Sequence, residues 1–211
     1  MEEKKNKVEE PPVSYDGSYT YGDYLKFEFD EMVELIRGKI FRMSPAPKTK
    51  HQNVAGNLHG MMWKFFKKKK CEVFIAPFDV ILPIPNRRPG KSSDTVVHPD
   101  VCVICDPEKI QENGCFGAPD FIIEVISPHT TKKDIQLKYE IYEESLVKEY
   151  WVVYPKDEHV SVYLLQEGAY GRPMVYEHKD LIRPEIFPEL EIDLAEVFEV
   201  EEDDFEYGER L

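Results

Sequence analysis

Two carboxylates and one ammonium stand where apolar residues are expected. Asp100 opens the run Val101-Cys102-Val103-Ile104-Cys105, and Glu124 interrupts Asp120-Phe121-Ile122-Ile123-Glu124-Val125-Ile126-Ser127-Pro128. Both runs are rich in β-branched and aromatic residues and bounded by Pro, Gly or Asp, so each reads as a strand. An unpaired ionised carboxylate inside an apolar strand is costly, so something positive must lie beside Glu124. A divalent cation shared by Asp100 and Glu124 meets that need: a few hard oxygen ligands suit Mg²⁺, which keeps waters and leaves room for a phosphate. Lys138 is a second source of positive charge. It lies three residues from both Ile135 and Ile141, inside the apolar stripe of a later helix. Either its stem snorkels to solvent, or its ammonium is aimed at a buried carboxylate.

The elements that must position these groups follow from periodicity and punctuation. Thr20-Tyr21-Gly22-Asp23 has capping-box spacing and predicts a short helix ending near Asp30. Met32–Ile36 and Lys39–Met43 read as a hairpin with Gly38 in its turn, and Glu34 shares a face with Met32 and Ile36. A carboxylate on that face belongs at an open edge or near the cation. After the break at Ser44-Pro45-Ala46-Pro47, residues Val54, Leu58, Met61, Met62, Phe65 and Phe66 recur at helical spacing from His51 to about Lys70. Lys67–Lys70 reads as the solvated end of that helix, where cations suit the dipole.

Val73 to Leu82 predicts one further strand, bulged at Pro77, with Asp79 its only charge. Asn86–Ser93 is a polar, basic loop. Thr131-Lys132-Lys133-Asp134 again has capping-box spacing and starts a helix to about Leu146. Glu149–Tyr154 and His159–Leu164 form a hairpin, a short strand follows near Met174–Tyr176, and Asp193–Phe198 makes a last helical turn.

The chain of 211 residues fits one α/β domain over residues 19–198, preceded by an extension over 1–18 and followed by an acidic, disordered tail over 199–211. Net charge is −14, half of it carried by residues 196–211, so the body is acidic as well. Nucleic-acid contact must then come from a local basic patch. Four cysteines, no signal peptide and no apolar stretch of spanning length point to a reducing cytoplasm and no membrane insertion. Cys102 and Cys105 fall on opposite faces of their strand, and Cys71 and Cys115 form no second pair, which argues against zinc. His98 shares the face of Asp100 and reads as structural.

At this point the blocks Tyr19–Tyr24, Glu34–Pro45, His51–Leu58, Ile75–Val80, Pro99-Asp100, Ala118–Pro128, Asp134 with Lys138 and Tyr142, and Glu149–Val153 can be taken together. Their order resembles the bacterial Uma-type family of restriction endonucleases, within the PD-(D/E)XK nuclease superfamily. The resemblance implies a restriction-endonuclease-like mixed central sheet flanked by helices, with additional hairpins. It also implies DNA as substrate, Mg²⁺ (or Mn²⁺) as cofactor, and a homodimer.

Carried over by position, Asp100 and Glu124 are metal ligands, with the backbone carbonyl of Val125 as a third. Where the superfamily motif has a lysine two residues beyond Glu124 stands Ile126, and Lys138 matches the family position that supplies the ammonium from the following helix. Lys138→Met is therefore expected to fold normally and lose turnover. Glu34, His51 and Asp79 match positions with supporting roles. The alternative is a catalytically inactive DNA- or protein-binding module that keeps the fold, favoured by Ile126 and the acidic charge.

Overall fold

The computed structural model describes residues 18–28, 31–43, 48–83, 93–127 and 132–200; of residues 132–134 only the backbone is described. The lead-in before residue 18, the break at 44–47, the basic loop through residue 92, the capping box at Thr131 and Asp134, and the tail from 201 lie outside these residues.

In chain order, α1 (Tyr21–Tyr24) precedes the hairpin β1 (Val33–Ile36) and β2 (Lys39–Arg42), then α2 (Thr49–Phe66), β3 (Glu72–Ile75), β4 (Val80–Ile81), β5 (Val96–Val97) and β6 (Val101–Ile104). A single 3₁₀ turn leads into β7 (Ile110–Gln111) and β8 (Gly114–Phe116). There follow β9 (Phe121–Val125), α3 (Lys132–Glu144), β10 (Glu149–Tyr154), β11 (His159–Gln166), β12 (Ala169–Tyr170), β13 (Met174–Glu177), β14 (Leu181–Ile182), β15 (Ile192–Asp193) and α4 (Leu194–Phe198).

Two mixed sheets result. The larger runs β12-β11-β10-β9-β6-β3 with β13 beside β11, and the second runs β2-β1-β5-β4-β8-β7. In the larger sheet β9 and β10 are parallel, as a crossover through α3 requires, whereas β6 and β3 run antiparallel to their neighbours. The buried face of α2 (Val54, Leu58, Met62, Phe66) packs with Val101, Val103, Ile123 and Val125. Strand alternation turns Cys102, Ile104, Ile122 and Val152 to the other face, where they pack with Ile141 and Tyr142 of α3 and with Val80, Leu82 and Val97 of the second sheet.

Several local expectations change. The α1 capping box is formed, with Thr20 and Asp23 bonded reciprocally, but the helix ends at Tyr24 instead of near Asp30. The hairpin turn uses both Arg37 (φ 52°) and Gly38 (φ 81°), the left-handed pair that suits the twist of a two-residue connection. α2 stops at Phe66, four residues short of the expected end, and Lys67–Lys70 are exposed as expected.

The single strand over Val73–Leu82 is instead two: β3 joins the larger sheet, β4 the second, and the chain crosses between them at a cis Ala76-Pro77 bond with Asp79 in the crossing. The connection from Asp106 to Pro119 contains the β7–β8 hairpin, and β14–β15 forms a small separate sheet; neither was expected. Glu199, assigned above to the tail, takes a left-handed conformation at the end of α4 and its carboxylate accepts from Asn53 and Asn57 of α2. Four free thiols are not found, because Cys71 and Cys105 are joined in a disulfide while Cys102 and Cys115 are free and buried. Among the described residues no helix is long and apolar enough to cross a membrane.

Gly114 holds the crossing segment close. Its φ is 132°, and a Cβ there would stand 2.3 Å from the Asp79 carbonyl oxygen. The same oxygen accepts from the Cys115 amide at 2.8 Å. Gly114→Ala is therefore expected to cost about 2 kcal/mol or more, from strain plus overlap with backbone that cannot rotate away. In a chain of this size the melting temperature should fall by roughly 5 °C or more; an unchanged melting curve would show that the segment can retreat freely.

Candidate active site

The site forms where β6 begins and its antiparallel neighbour β9 ends, between α2 on one face and α3 on the other. Val101 pairs with Ile123, so Asp100 stands opposite Glu124 by continuation of the register. Asp100 is fixed there by the Val125 amide, which donates to Oδ2 at 2.7 Å. From the α2 side, His51 brings Nε2 to 3.4 Å from Asp100 Oδ1. From the α3 side, Lys138 brings its ammonium to 2.6 Å from Glu34 Oε1 and 2.9 Å from Glu124 Oε1.

Two residues outside the sequence-based set belong to the same network. Tyr142, one helical turn after Lys138, donates its hydroxyl to Glu124 Oε1 at 2.5 Å. The His98 amide donates to Glu34 Oε1 at 3.0 Å, and its ring Nε2 is 2.8 Å from Asp79 Oδ1. Glu34, Asp79, Glu124 and Lys138 are thus connected directly or through His98, and Asp100 with His51 forms the adjoining half. Tyr142 left no conflict in the sequence, since an aromatic residue in an apolar helical stripe reads as core; its spacing of four from Lys138 was the available signal. Ile126 is bonded through its amide to the Val153 carbonyl and packs partly buried on the α3 side, so the ammonium beside Glu124 comes from the helix and not from the strand.

Electrostatics follow from burial. Burial, with the charges of Asp100 and Glu34, pushes the Glu124 carboxyl up to about 7 in spite of Lys138 and Tyr142. Burial works against the Lys138 ammonium, but Glu124 and Glu34 outweigh it and hold the lysine charged. For His51 burial again opposes the charge, and the bonds to Asp100 and to the Val125 backbone raise its pKa overall. Three carboxylates therefore share this pocket with one ammonium.

That excess of negative charge is the feature a divalent cation would relieve, and two carboxylates from adjacent strand positions are donors of the right hardness. Among the described residues no three His, Cys, Asp or Glu side chains converge to form a complete cage. Asp100 and Glu124 would suit a sparse site, the kind Mg²⁺ completes with water.

Comparison with known proteins adds independent observations. The profile of the Uma2 family, described as "Putative restriction endonuclease", matches residues 21–195. Among solved structures, one described as "a putative nuclease belonging to DUF820 from Anabaena variabilis ATCC 29413" aligns with a TM-score of 0.67 at 22% identity, covering 86% of this chain and 98% of that chain. No curated protein matches.

Proposed function

Because this chain belongs to the Uma2 family of restriction endonucleases, we propose that it is a metal-dependent endonuclease that hydrolyses phosphodiester bonds in DNA. The observation that carries the reading furthest is the Lys138 ammonium 2.9 Å from Glu124. An ammonium beside a carboxylate that would ligate the metal can orient an attacking water and stabilise charge on the phosphate, and here it comes from α3 while Ile126 occupies the strand position.

Asp100 and Glu124, with the Val125 carbonyl, would hold Mg²⁺ or Mn²⁺. When bound, the ion polarises the scissile phosphate and lowers the pKa of an attacking water. Lys138 orients that water and stabilises the charge that accumulates on the phosphate. Glu34 restrains Lys138 through a second ion pair, and the Asp79–His98 pair steadies Glu34 through the His98 amide. His51 orients Asp100. Residues 19–198 form the nuclease domain in this reading, which acts as a homodimer.

The test is nicking of supercoiled plasmid at low salt, which suits an acidic body. Nicking is expected with Mg²⁺ or Mn²⁺, none with EDTA, and a reduction on the order of 10²-fold or more in Asp100→Ala. Equal nicking by Asp100→Ala and the unaltered protein would overturn the reading.

A further inference from the structure

Lys138 and Tyr142 address the same oxygen of Glu124. The ammonium stands 2.9 Å and the phenol hydroxyl 2.5 Å from Oε1, so neither of these bonds engages Oε2. A carboxylate needs only one such donor to be held. The two differ in charge and in freedom to move.

Lys138 is a cation on a flexible four-carbon stem, and its shorter bond, 2.6 Å, goes to Glu34. Tyr142 is neutral and rigid. Its side chain is completely buried, and its ring lies 5.0 Å from that of Tyr150 in an edge-on contact. Its phenol is a neutral hydroxyl donor. Tyr142 is a fixed donor and Lys138 a movable one.

We propose that Tyr142 is a positioning residue that fixes Glu124 through Oε1, keeping Oε2 available as the cation ligand and freeing Lys138 to serve the substrate. This rests on the metal-dependent reading above. A divalent cation beside Glu124 repels an ammonium but not a neutral hydroxyl, because the Coulomb interaction acts on net charge. Lys138 cannot both hold Glu124 against that repulsion and stabilise charge on a phosphate. Tyr142 removes the conflict: it keeps the carboxylate oriented when Lys138 leaves it, and Glu34 retains the ammonium close by. Tyr142 thus does for a carboxylate ligand what an outer hydrogen-bond partner does for a ligating histidine, fixing its orientation from behind.

The experiment compares the unaltered full chain, Tyr142→Phe and Tyr139→Phe by calorimetric Mn²⁺ titration and by plasmid nicking across Mn²⁺ concentrations. Tyr142→Phe keeps the ring and removes one atom. It is expected to bind Mn²⁺ roughly 10- to 100-fold more weakly and to recover most of its nicking rate at saturating Mn²⁺. Tyr139→Phe removes a phenol from the same helix whose hydroxyl reaches the Tyr170 carbonyl instead, and its Mn²⁺ affinity should not change. A purely structural role for Tyr142 would lower the melting temperature without moving the Mn²⁺ affinity of the folded protein. Mn²⁺ affinity in Tyr142→Phe equal to that of the unaltered protein would overturn the proposal alone, whereas no Mn²⁺ binding by the unaltered protein would overturn the metal-dependent reading and this proposal with it.

Discussion

Lys138→Met is expected to lose nearly all turnover and also to be markedly less stable at pH 8 than at pH 6. The ammonium bridges two carboxylates that are themselves about nine-tenths buried, at side-chain exposures of 10% for Glu34 and 13% for Glu124. Removing one member of a buried ion cluster leaves the others uncompensated and typically costs about 3–5 kcal/mol. Against a total stability on the order of 5–15 kcal/mol, that is a large fraction.

Proton uptake offers relief. The Glu124 carboxyl is already pushed up to about 7 with Lys138 present, and loss of the lysine can only push it further. A carboxyl whose folded pKa exceeds its unfolded value stabilises the fold at low pH, and that contribution is lost as pH rises through the folded pKa. The deficit of Lys138→Met relative to the unaltered protein should therefore be small near pH 6 and grow toward pH 8. Melting curves at both pH values measure it, with nicking assayed where the variant is folded. Equal melting temperatures for the two proteins at pH 8 would show that the cluster does not support the fold. Sequence alone suggested that Lys138→Met folds normally; a lysine placed between two buried carboxylates leads instead to an expected cost in stability.

What could be read from sequence was read from conflict. Glu124 in an apolar strand and Lys138 in an apolar stripe each violate the pattern around them, and such violations require a partner. The structure pairs them, although 14 residues separate them in the chain. Tyr142 matched a family position without showing a role, because an aromatic residue in that stripe violates nothing and its hydroxyl matters only once the neighbour is known. His98 reaches Glu34 through a main-chain amide that any residue would supply, and only its ring contact with Asp79 depends on the side chain.

The same limit applies to the fold. The apolar residues from Val73 to Leu82 look continuous because β3 and β4 both lie in sheets, and which sheet each joins is settled by partners far away in sequence. Cys71 and Cys105 continue the register in which Glu72 pairs with Ile104, so their bond is legible only after the β3–β6 pairing is known. β14 and β15 have two residues each, too few to show alternation.

Glu149 provides the second large effect, and one independent of the catalytic reading. It opens β10, where it pairs in parallel with Phe121 of β9, the strand that carries Glu124. Its side chain is fully buried and accepts from the Trp151 indole at 2.7 Å and the Ile186 amide at 3.1 Å. Burial nevertheless pushes its carboxyl up to about 7, since neutral donors from Ile186, Trp151 and the Glu185 backbone do not replace the water an ionised carboxylate gives up. The unfolded chain releases this proton near 4.5, so the folded state holds an extra proton between about 4.5 and 7. Stability must then fall with rising pH across that window and level off above it, by roughly 3 kcal/mol at most from this group.

Glutamine is uncharged like the protonated acid and does not titrate, but its amide nitrogen cannot accept one of the two bonds that the carboxyl oxygens take from Trp151 and Ile186. Glu149→Gln is accordingly expected to melt below the unaltered protein at pH 5, and its melting temperature relative to that protein to rise by up to roughly 5–10 °C between pH 5 and pH 8. Glu124 and His51, both raised in the fold, would contribute to the slope left in the variant. Identical pH profiles of melting temperature for the two proteins would show that Glu149 remains ionised in the fold at no cost, and that the bonds from Trp151 and Ile186 compensate it fully.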